Sequence, residues 1–211
     1  MTTRGRLIAF EGGEGAGKST QASRLAAALK AEVTREPGGS VLGERVRQLL
    51  LDPQLGKAAG WIDARAELML MLAARAQHVS ELIRPRLESG RDVVVDRYSG
   101  STLAYQGYGR GLPLEEIRQA CDLATNGLWP DLTILLDVPL EVGAARRMTA
   151  SSPPDRIESE RDGFHVRVRE GFLAEAAADP DRWVVIDGTL DFGEVERLVW
   201  TAVDQLLGAR A

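Results

Sequence analysis

The sequence predicts an α/β fold in which five parallel strands form one sheet with helices on both faces. Three observations carry that prediction. Five short apolar runs recur along the chain, helical patterns separate them, and a glycine-rich loop joins the first run to the first helix. Alternating strands and helices imply right-handed crossovers between parallel strands, and ligands then collect at the strand C-termini.

The first run, Leu7-Ile8-Ala9-Phe10, has the length and character of a buried strand. Gly12-Gly13-Glu14-Gly15-Ala16-Gly17-Lys18-Ser19-Thr20 follows and fits G-x-x-x-x-G-K-[ST]. Gln21 to Lys30 then reads as a helix with Leu25, Ala28 and Leu29 on one face. The chemistry of the motif needs strand, loop and helix in that order. Glycines let successive N–H groups turn toward an anion, the helix N-terminus adds partial positive charge, Lys18 reaches the outer phosphates and Ser19 offers its hydroxyl to magnesium. A nucleoside triphosphate site is expected.

The second run is Glu32-Val33-Thr34, and the turn Arg35-Glu36-Pro37-Gly38-Gly39 after it presents Arg35 toward the crevice. A long helix begins near Asp63, with Leu68, Met71, Leu72, Arg75, Val79, Leu82 and Ile83 on one stripe until Pro85 disturbs it. Arg75 stands inside that apolar stripe, and a guanidinium that cannot deprotonate needs an anion, an acceptor or an aromatic plane there. A structural ion pair and a ligand role both meet that need. His78 and His165 read as packing or surface.

The third run, Asp92-Val93-Val94-Val95, delivers Asp96-Arg97-Tyr98 beside the glycine loop if its strand neighbours the first. Phosphoryl transfer needs positive charge on donor and acceptor phosphates, and Arg97 is placed to bridge them. Asp96 either holds a magnesium-bound water or orients Arg97, the second being preferred. Leu114 to Asn126 reads as a helix ended by Gly127 and Pro130, with Cys121 as inert packing on one face. The fourth run is Leu132 to Leu136, followed by a helix from Pro139 to Met148. Thr149 to Pro154 is too polar and proline-rich to continue it and reads as a mobile loop flanked by Arg146, Arg147, Arg156 and Arg161. Taken singly these arginines read as solvated; together they suit phosphates. After the fifth run, Trp183 to Ile186, the last helix opens with Asp191 as N-cap and Glu194, then buries Val195, Leu198, Val199, Ala202, Val203 and Leu206. Glu11, Arg35, Asp96, Asp137 and Asp187 each follow a run, which places them around one crevice.

A chain of 211 residues, 44% hydrophobic and 27% charged, suits one domain over 1–211. A net charge of −5 argues against a nucleic-acid surface, and the single cysteine excludes an internal disulfide. There is no apolar run near the ~18 residues of a membrane span and no signal-peptide pattern, so a cytoplasmic protein acting on small molecules is expected.

The glycine loop with Glu14, the segment Thr34 to Gly39, Ala73-Ala74-Arg75, Asp96-Arg97-Tyr98, Ala104-Tyr105-Gln106-Gly107, Pro130-Asp131-Leu132 and Asp155-Arg156-Ile157-Glu158 together resemble bacterial thymidylate kinases. The resemblance runs from Leu7 to about Phe172. It implies a P-loop NTPase-type, nucleoside monophosphate kinase-like fold, a homodimer, and a mobile lid over ATP at about 147–161. The implied reaction is ATP- and Mg2+-dependent phosphorylation of thymidine monophosphate to the diphosphate, in dTTP synthesis. Lys18, Arg97 and Glu14 would serve catalysis. Arg35, Arg75 and Arg97 would hold the monophosphate, with Arg75 also near the base; Glu14 and Glu36 would belong to the substrate site, and Thr102, Tyr105 and Gln106 would line the nucleoside pocket. The bacterial type takes its basic residues from the lid rather than from the glycine loop, in agreement with Glu14. Two departures stand out. Met71 occupies the place of a phenylalanine that stacks on thymine, and Thr149 to Pro154 lacks the arginine some relatives carry, which leaves Arg147 or Arg156 as the lid arginine. Another nucleoside monophosphate or a deoxynucleoside remains an alternative acceptor. A GTP-operated switch is the other reading, but no Asn-Lys-x-Asp stretch for guanine is present.

Overall fold

The computed structural model describes residues 4–54, 62–148 and 154–208. Its five strands are β1 (Leu7–Glu11), β2 (Glu32–Arg35), β3 (Val93–Asp96), β4 (Leu132–Asp137) and β5 (Trp183–Asp187). They form one sheet in the order β2-β3-β1-β4-β5, and every pairing is parallel. β1 is central and buried along its whole length, which explains its unbroken apolar run. The outer strands β2 and β5 carry exposed positions, Val33 and Val185 among them.

Side chains leave β1 alternately to the two faces. Ile8 and Phe10 join Ala22, Leu25, Ala26, Val195, Val199, Ala202 and Val203 in one core. Leu7 and Ala9 join Val79, Ile83, Leu87 and Tyr98 in the core behind the sheet. The first core is supplied by α1 (Lys18–Leu29) and the C-terminal helix Phe192–Gly208. α1 starts at Lys18 rather than Gln21, and it buries Gln21, Ala22, Leu25 and Ala26 while Ala28 is exposed. Ala22 and Ala26 are small enough for the helix to sit close on the sheet, so the stripe through them wins over the one through Ala28.

α2 (Val41–Leu51) has no counterpart in the sequence expectations. Ser40 caps it, accepting from the Gly43 N–H at 2.9 Å. α3 (Ala64–His78) is capped by Asp63 as its position suggests, and it passes through a π-helical turn (Val79–Ile83) into α4 (Arg84–Glu88). The disturbance expected at Pro85 is this π turn, and the helix continues beyond it. Pro85 falls in the first turn of α4, where its missing N–H costs little because the π turn has already shifted the hydrogen-bond register.

α5 (Ser99–Thr102) runs into a second π-helical segment, Leu103–Gly109. α6 (Leu114–Thr125) closes on Asn126 and Gly127, both with positive φ. α7 (Leu140–Met148), α8 (Asp162–Ala178) and α9 (Phe192–Gly208) complete the elements. At α9, Asp191 accepts from the Glu194 N–H at 3.0 Å, whereas the Glu194 carboxylate pairs forward with Arg197. Thr149 to Pro153 of the expected mobile loop lie outside the described residues. Among the described residues no helix is long and apolar enough to cross a membrane.

Candidate active site

The loop after β1 has little freedom to be anything but glycine-rich. Gly12 has φ 137° and Gly15 has φ 71°, and a Cβ at either would collide with a backbone carbonyl, that of Leu136 or of Gly143. Gly17, left-handed at φ 89°, opens α1 with no side-chain cap, so the first N–H groups of the helix are left for an anion. Lys18 lies back across the loop, donating from Nζ to the Gly13 carbonyl at 2.6 Å. Burial, and then the nearby Arg97 guanidinium, hold its pKa down at about 8 against the partial support of Glu14, Asp96 and Glu11.

Strand register brings the next residues to this loop. Phe10 pairs with Asp96 and Arg35 pairs with Asp96, so the ends of β1, β2 and β3 meet. Ser19 donates to Asp96 Oδ2 through a short hydrogen bond, and Asp96 Oδ1 is buried without a partner. Asp96 therefore does not orient Arg97, contrary to expectation. Arg97 has φ 69°, a conformation costing about 1–3 kcal/mol for a non-glycine residue, and its guanidinium is held by the Gly12 carbonyl, Ser101 and Glu14. Glu14 Oε1 also accepts from the Tyr105 hydroxyl at 3.3 Å. Burial raises the Glu14 pKa, but the charges of Arg97 and Lys18 outweigh it and bring it to about 2.

Of the five strand-end residues expected around the crevice, Arg35 and Asp96 line it. Glu11 does not. It is fully buried and accepts from the Tyr98 and Ser101 N–H groups and the Ser101 hydroxyl, fixing the turn that carries Arg97. Asp137 makes a two-bond pair with Arg169, and Asp187 closes a turn on Thr189. Neither lines the crevice, because each carboxylate is taken up by these local partners; Arg169 lines the adjoining cleft on the other side of Glu14.

Arg75 is 2% exposed and has four partners: Glu36 at 2.7 Å, Thr102 at 2.9 Å, the Tyr98 carbonyl at 3.0 Å and Cys121 Sγ at 3.6 Å. Glu36 passes the connection on, since its Oε1 lies 2.9 Å from His78 Nδ1 while His78 Nε2 lies 2.8 Å from Thr34 Oγ1. His78 is thus neither packing nor surface. It is a fully buried link that braces Glu36 behind Arg75. His165 is half-buried against Phe164, as expected of packing.

One cleft is lined by Glu14, Lys18, Ser19, Arg35, Glu36, Met71, Arg75, Asp96, Arg97, Thr102, Tyr105 and Gln106, all anticipated from the sequence. The backbone of the loop supplies Gly12, Gly13, Gly15, Ala16 and Gly17 beside it, while Thr20 is exposed on α1. Tyr105 meets Phe164 and Phe172 edge-on, and the Arg97 guanidinium lies 5.1 Å from its ring centre. Met71 packs one side against this aromatic group and the other against Val46, Leu50 and Ala74. Sequence reasoning missed Arg47 and Ser101, and gave no site role to Asp155 and Glu158 of the segment Asp155-Arg156-Ile157-Glu158; all four line the cleft too. Arg47 comes from the unanticipated α2, so the capping Ser40 was the available signal.

The two lid candidates separate. Arg147 lines an adjoining cleft with Gly13 and Glu14, and donates to Glu158 at 3.2 Å. Arg156 lines neither: its guanidinium is bound to the Leu50 carbonyl at 2.7 Å and to Glu67 at 2.6 Å, with 9% side-chain exposure. Glu67, a buried carboxylate one turn before Met71, captures it. Arg146 reaches the Gly188 carbonyl.

The arrangement offers a phosphate-binding loop, a hard oxygen pair at Ser19 and Asp96, cations at its two ends, and an apolar pocket with polar corners. Comparison with known proteins accords with it. The family model for thymidylate kinase matches residues 10–199. The thymidylate kinase of Thermomicrobium roseum is 50% identical over 206 residues, covering 95% of both chains. That of Deinococcus radiodurans is 47% identical over 208 residues, covering 96% of this chain and 98% of its own. The crystal structure of thymidylate kinase from Ehrlichia chaffeensis superposes with a TM-score of 0.75 at 34% identity, covering 95% of this chain and 99% of that one.

Proposed function

Since the chain belongs to the thymidylate kinase family and so transfers a phosphoryl group from ATP to thymidine monophosphate, giving the diphosphate, we propose that the cleft between the glycine loop and Met71 is where it does so. The observation that carries the assignment is the joining of two chemistries in one cleft. Lys18, Arg97 and Arg35 line its phosphate end, and Met71, Tyr105 and Gln106 line the other.

On this reading the glycine loop, from Gly12 to Thr20, cradles the ATP phosphates, with Lys18 on the outer ones. An oxygen of the monophosphate attacks the γ-phosphorus in line, the bond to the β-phosphate oxygen breaks, and ADP leaves. Arg97 bridges donor and acceptor as charge develops, leaving Glu14 for phosphate; Glu14 keeps it aimed until then. Arg35 and Arg75 hold the acceptor, Arg75 braced by Glu36. Thr102, Tyr105 and Gln106 surround the nucleoside.

Ser19 and Asp96 suit Mg2+, which takes one or two protein oxygens and completes its shell with substrate phosphate and water; the unpartnered Asp96 Oδ1 fits that demand. Bound there, the ion would neutralise charge on the transferring phosphates.

The same proposal includes one domain over 1–211, a lid at about 147–161 in which Arg147 rather than Arg156 turns to phosphate, a cytoplasmic setting and a homodimer. Exposed Val41, Leu42 and Leu49 on α2 and Met69 on the adjoining α3 support the dimer, which sedimentation at micromolar concentration tests. A coupled ADP-release assay over a panel of nucleoside monophosphates and thymidine tests the assignment of the cleft when run on wild type and on Arg75→Met. Loss of thymidine monophosphate preference in the variant is expected; an unchanged preference rejects the cleft as the acceptor site.

A further inference from the structure

We propose that Glu67, which does not line the cleft, decides which pyrimidines the pocket accepts by fixing the hydrogen-bonding sense of the Gln106 amide. The inference rests on the reading of Gln106 as a nucleoside-pocket residue. Glu67 projects from α3 and is fully buried. Its Oε1 accepts from Gln106 Nε2 at 2.8 Å and from Arg110 Nε at 3.1 Å. Its Oε2 accepts from Arg110 Nη2 at 3.0 Å and Arg156 Nη2 at 2.6 Å. Burial pushes its pKa up, but the hydrogen bonds and charge of Arg110, with Gln106 and Arg156, push it further down, so the group is ionised.

An ionised carboxylate only accepts hydrogen bonds, so the end of the Gln106 amide against it must be the NH2 group. The carbonyl is left at the opposite corner, and Gln106, 1% exposed, lines the cleft. A carbonyl there accepts from a base whose ring nitrogen N3 carries a proton, as in thymine. It repels one whose N3 is a bare acceptor, as in cytosine. Because a buried polar group left unpaired is costly, the sense of this one amide separates two bases of equal size. Glu67 is a positioning residue on this account and touches no substrate.

The test is Glu67→Gln assayed with thymidine monophosphate and 5-methyl-deoxycytidine monophosphate, which share methyl group, sugar and phosphate and differ only in the 4-substituent and the N3 proton. In the variant, the carbonyl of residue 67 is best kept where both guanidinium groups meet, leaving its NH2 against Gln106. The Gln106 amide then turns over and offers NH2 to the base. The expected result is that the kcat/KM ratio of the two substrates falls by about tenfold or more, and that the same exchange in a Gln106→Leu background moves the ratio no further. Equal losses on both substrates would mark Glu67 as structural only and overturn the proposal. If Gln106→Leu alone leaves the ratio at the wild-type value, the reading of Gln106 fails and the proposal with it. Should Glu67→Gln not fold, wild type loaded with thymidine monophosphate and labelled in its Gln and Glu side chains gives the answer by NMR. Coupling across the hydrogen bond from the Gln106 NH2 to the Glu67 carboxyl carbon is expected, and coupling from that NH2 to the nucleotide overturns the idea.

Discussion

Raising the pH through 8 should weaken ATP binding and strengthen the ligand-free fold at the same time, both through Lys18. The ammonium is buried at 6% exposure beside the Arg97 guanidinium, and its pKa falls from the ordinary 10.5 to about 8. With that value the charged fraction is about nine-tenths at pH 7 and about one-tenth at pH 9, so kcat/KM for ATP should drop about tenfold across the interval. Turnover at saturating ATP should move much less, because bound phosphates raise the lysine pKa again.

The stability effect has the opposite sign. Between pH 8 and 10.5 the unfolded chain holds the Lys18 proton and the folded one does not, so stability rises with pH through that window. Below it both forms are protonated and the folded state bears the full burial cost, on the order of 3 kcal/mol. Urea unfolding of ligand-free wild type and Lys18→Met from pH 7 to 10.5 isolates the group, since the variant lacks that slope. Parallel pH curves for the two proteins, or ATP binding that stays flat from pH 7 to 9, would refute the assignment.

Arg97→Ala should leave a folded protein with turnover reduced by about 10²–10³, checked by steady-state kinetics beside a thermal melt; an increase confined to KM would make Arg97 a binding residue instead. Tyr105→Ala should narrow the preference for deoxyribose, read as the ratio of kcat/KM for thymidine and ribothymidine monophosphates. The ratio matters because Tyr105 also packs on Phe164 and Phe172, so both rates fall with stability; an unchanged ratio rejects a role in excluding the 2′-hydroxyl. Met71→Phe should tighten thymidine monophosphate binding by about 1 kcal/mol, the scale of one aromatic pair. Calorimetry with a melt checks it, and a lower melting temperature at unchanged affinity would place Met71 in the core alone.

What could be read from the sequence was local. β1, the loop and α1 are contiguous, and Asp96-Arg97 follows β3 directly, so a run of residues carries its own context. The partner of Arg75 was not readable, because Glu36 is 39 positions away and only folding brings them to 2.7 Å. The same holds for Arg156, a reasonable lid arginine by position until a buried Glu67, 89 residues earlier, claims it. α2 was legible but not read: Ser40 stands at its N-cap, and Gly43, Val46 and Leu50 are buried along one face. The disturbance of the helix at Pro85 was legible, but the form it takes, a π turn just before the proline with helix continuing after it, was not.

The partners of these cations also order how readily each can turn to a phosphate. Arg35 with Glu44 is 55% and 44% exposed, and Arg97 with Glu14 is 15% and 33% exposed, whereas Arg75 with Glu36 is 3% and 5% exposed. Releasing a carboxylate is cheap where water takes it up and costs several kcal/mol where it stays buried without its cation. On the proposed reading, Arg35 and Arg97 are therefore the groups that would exchange a carboxylate for phosphate. Arg75 keeps Glu36, itself held by His78, and on the proposed reading would meet the substrate as a fixed surface. On that reading the buried pair would set the binding geometry, and the exposed Arg35 and part-buried Arg97 would supply the charge that moves with the transferring phosphoryl group.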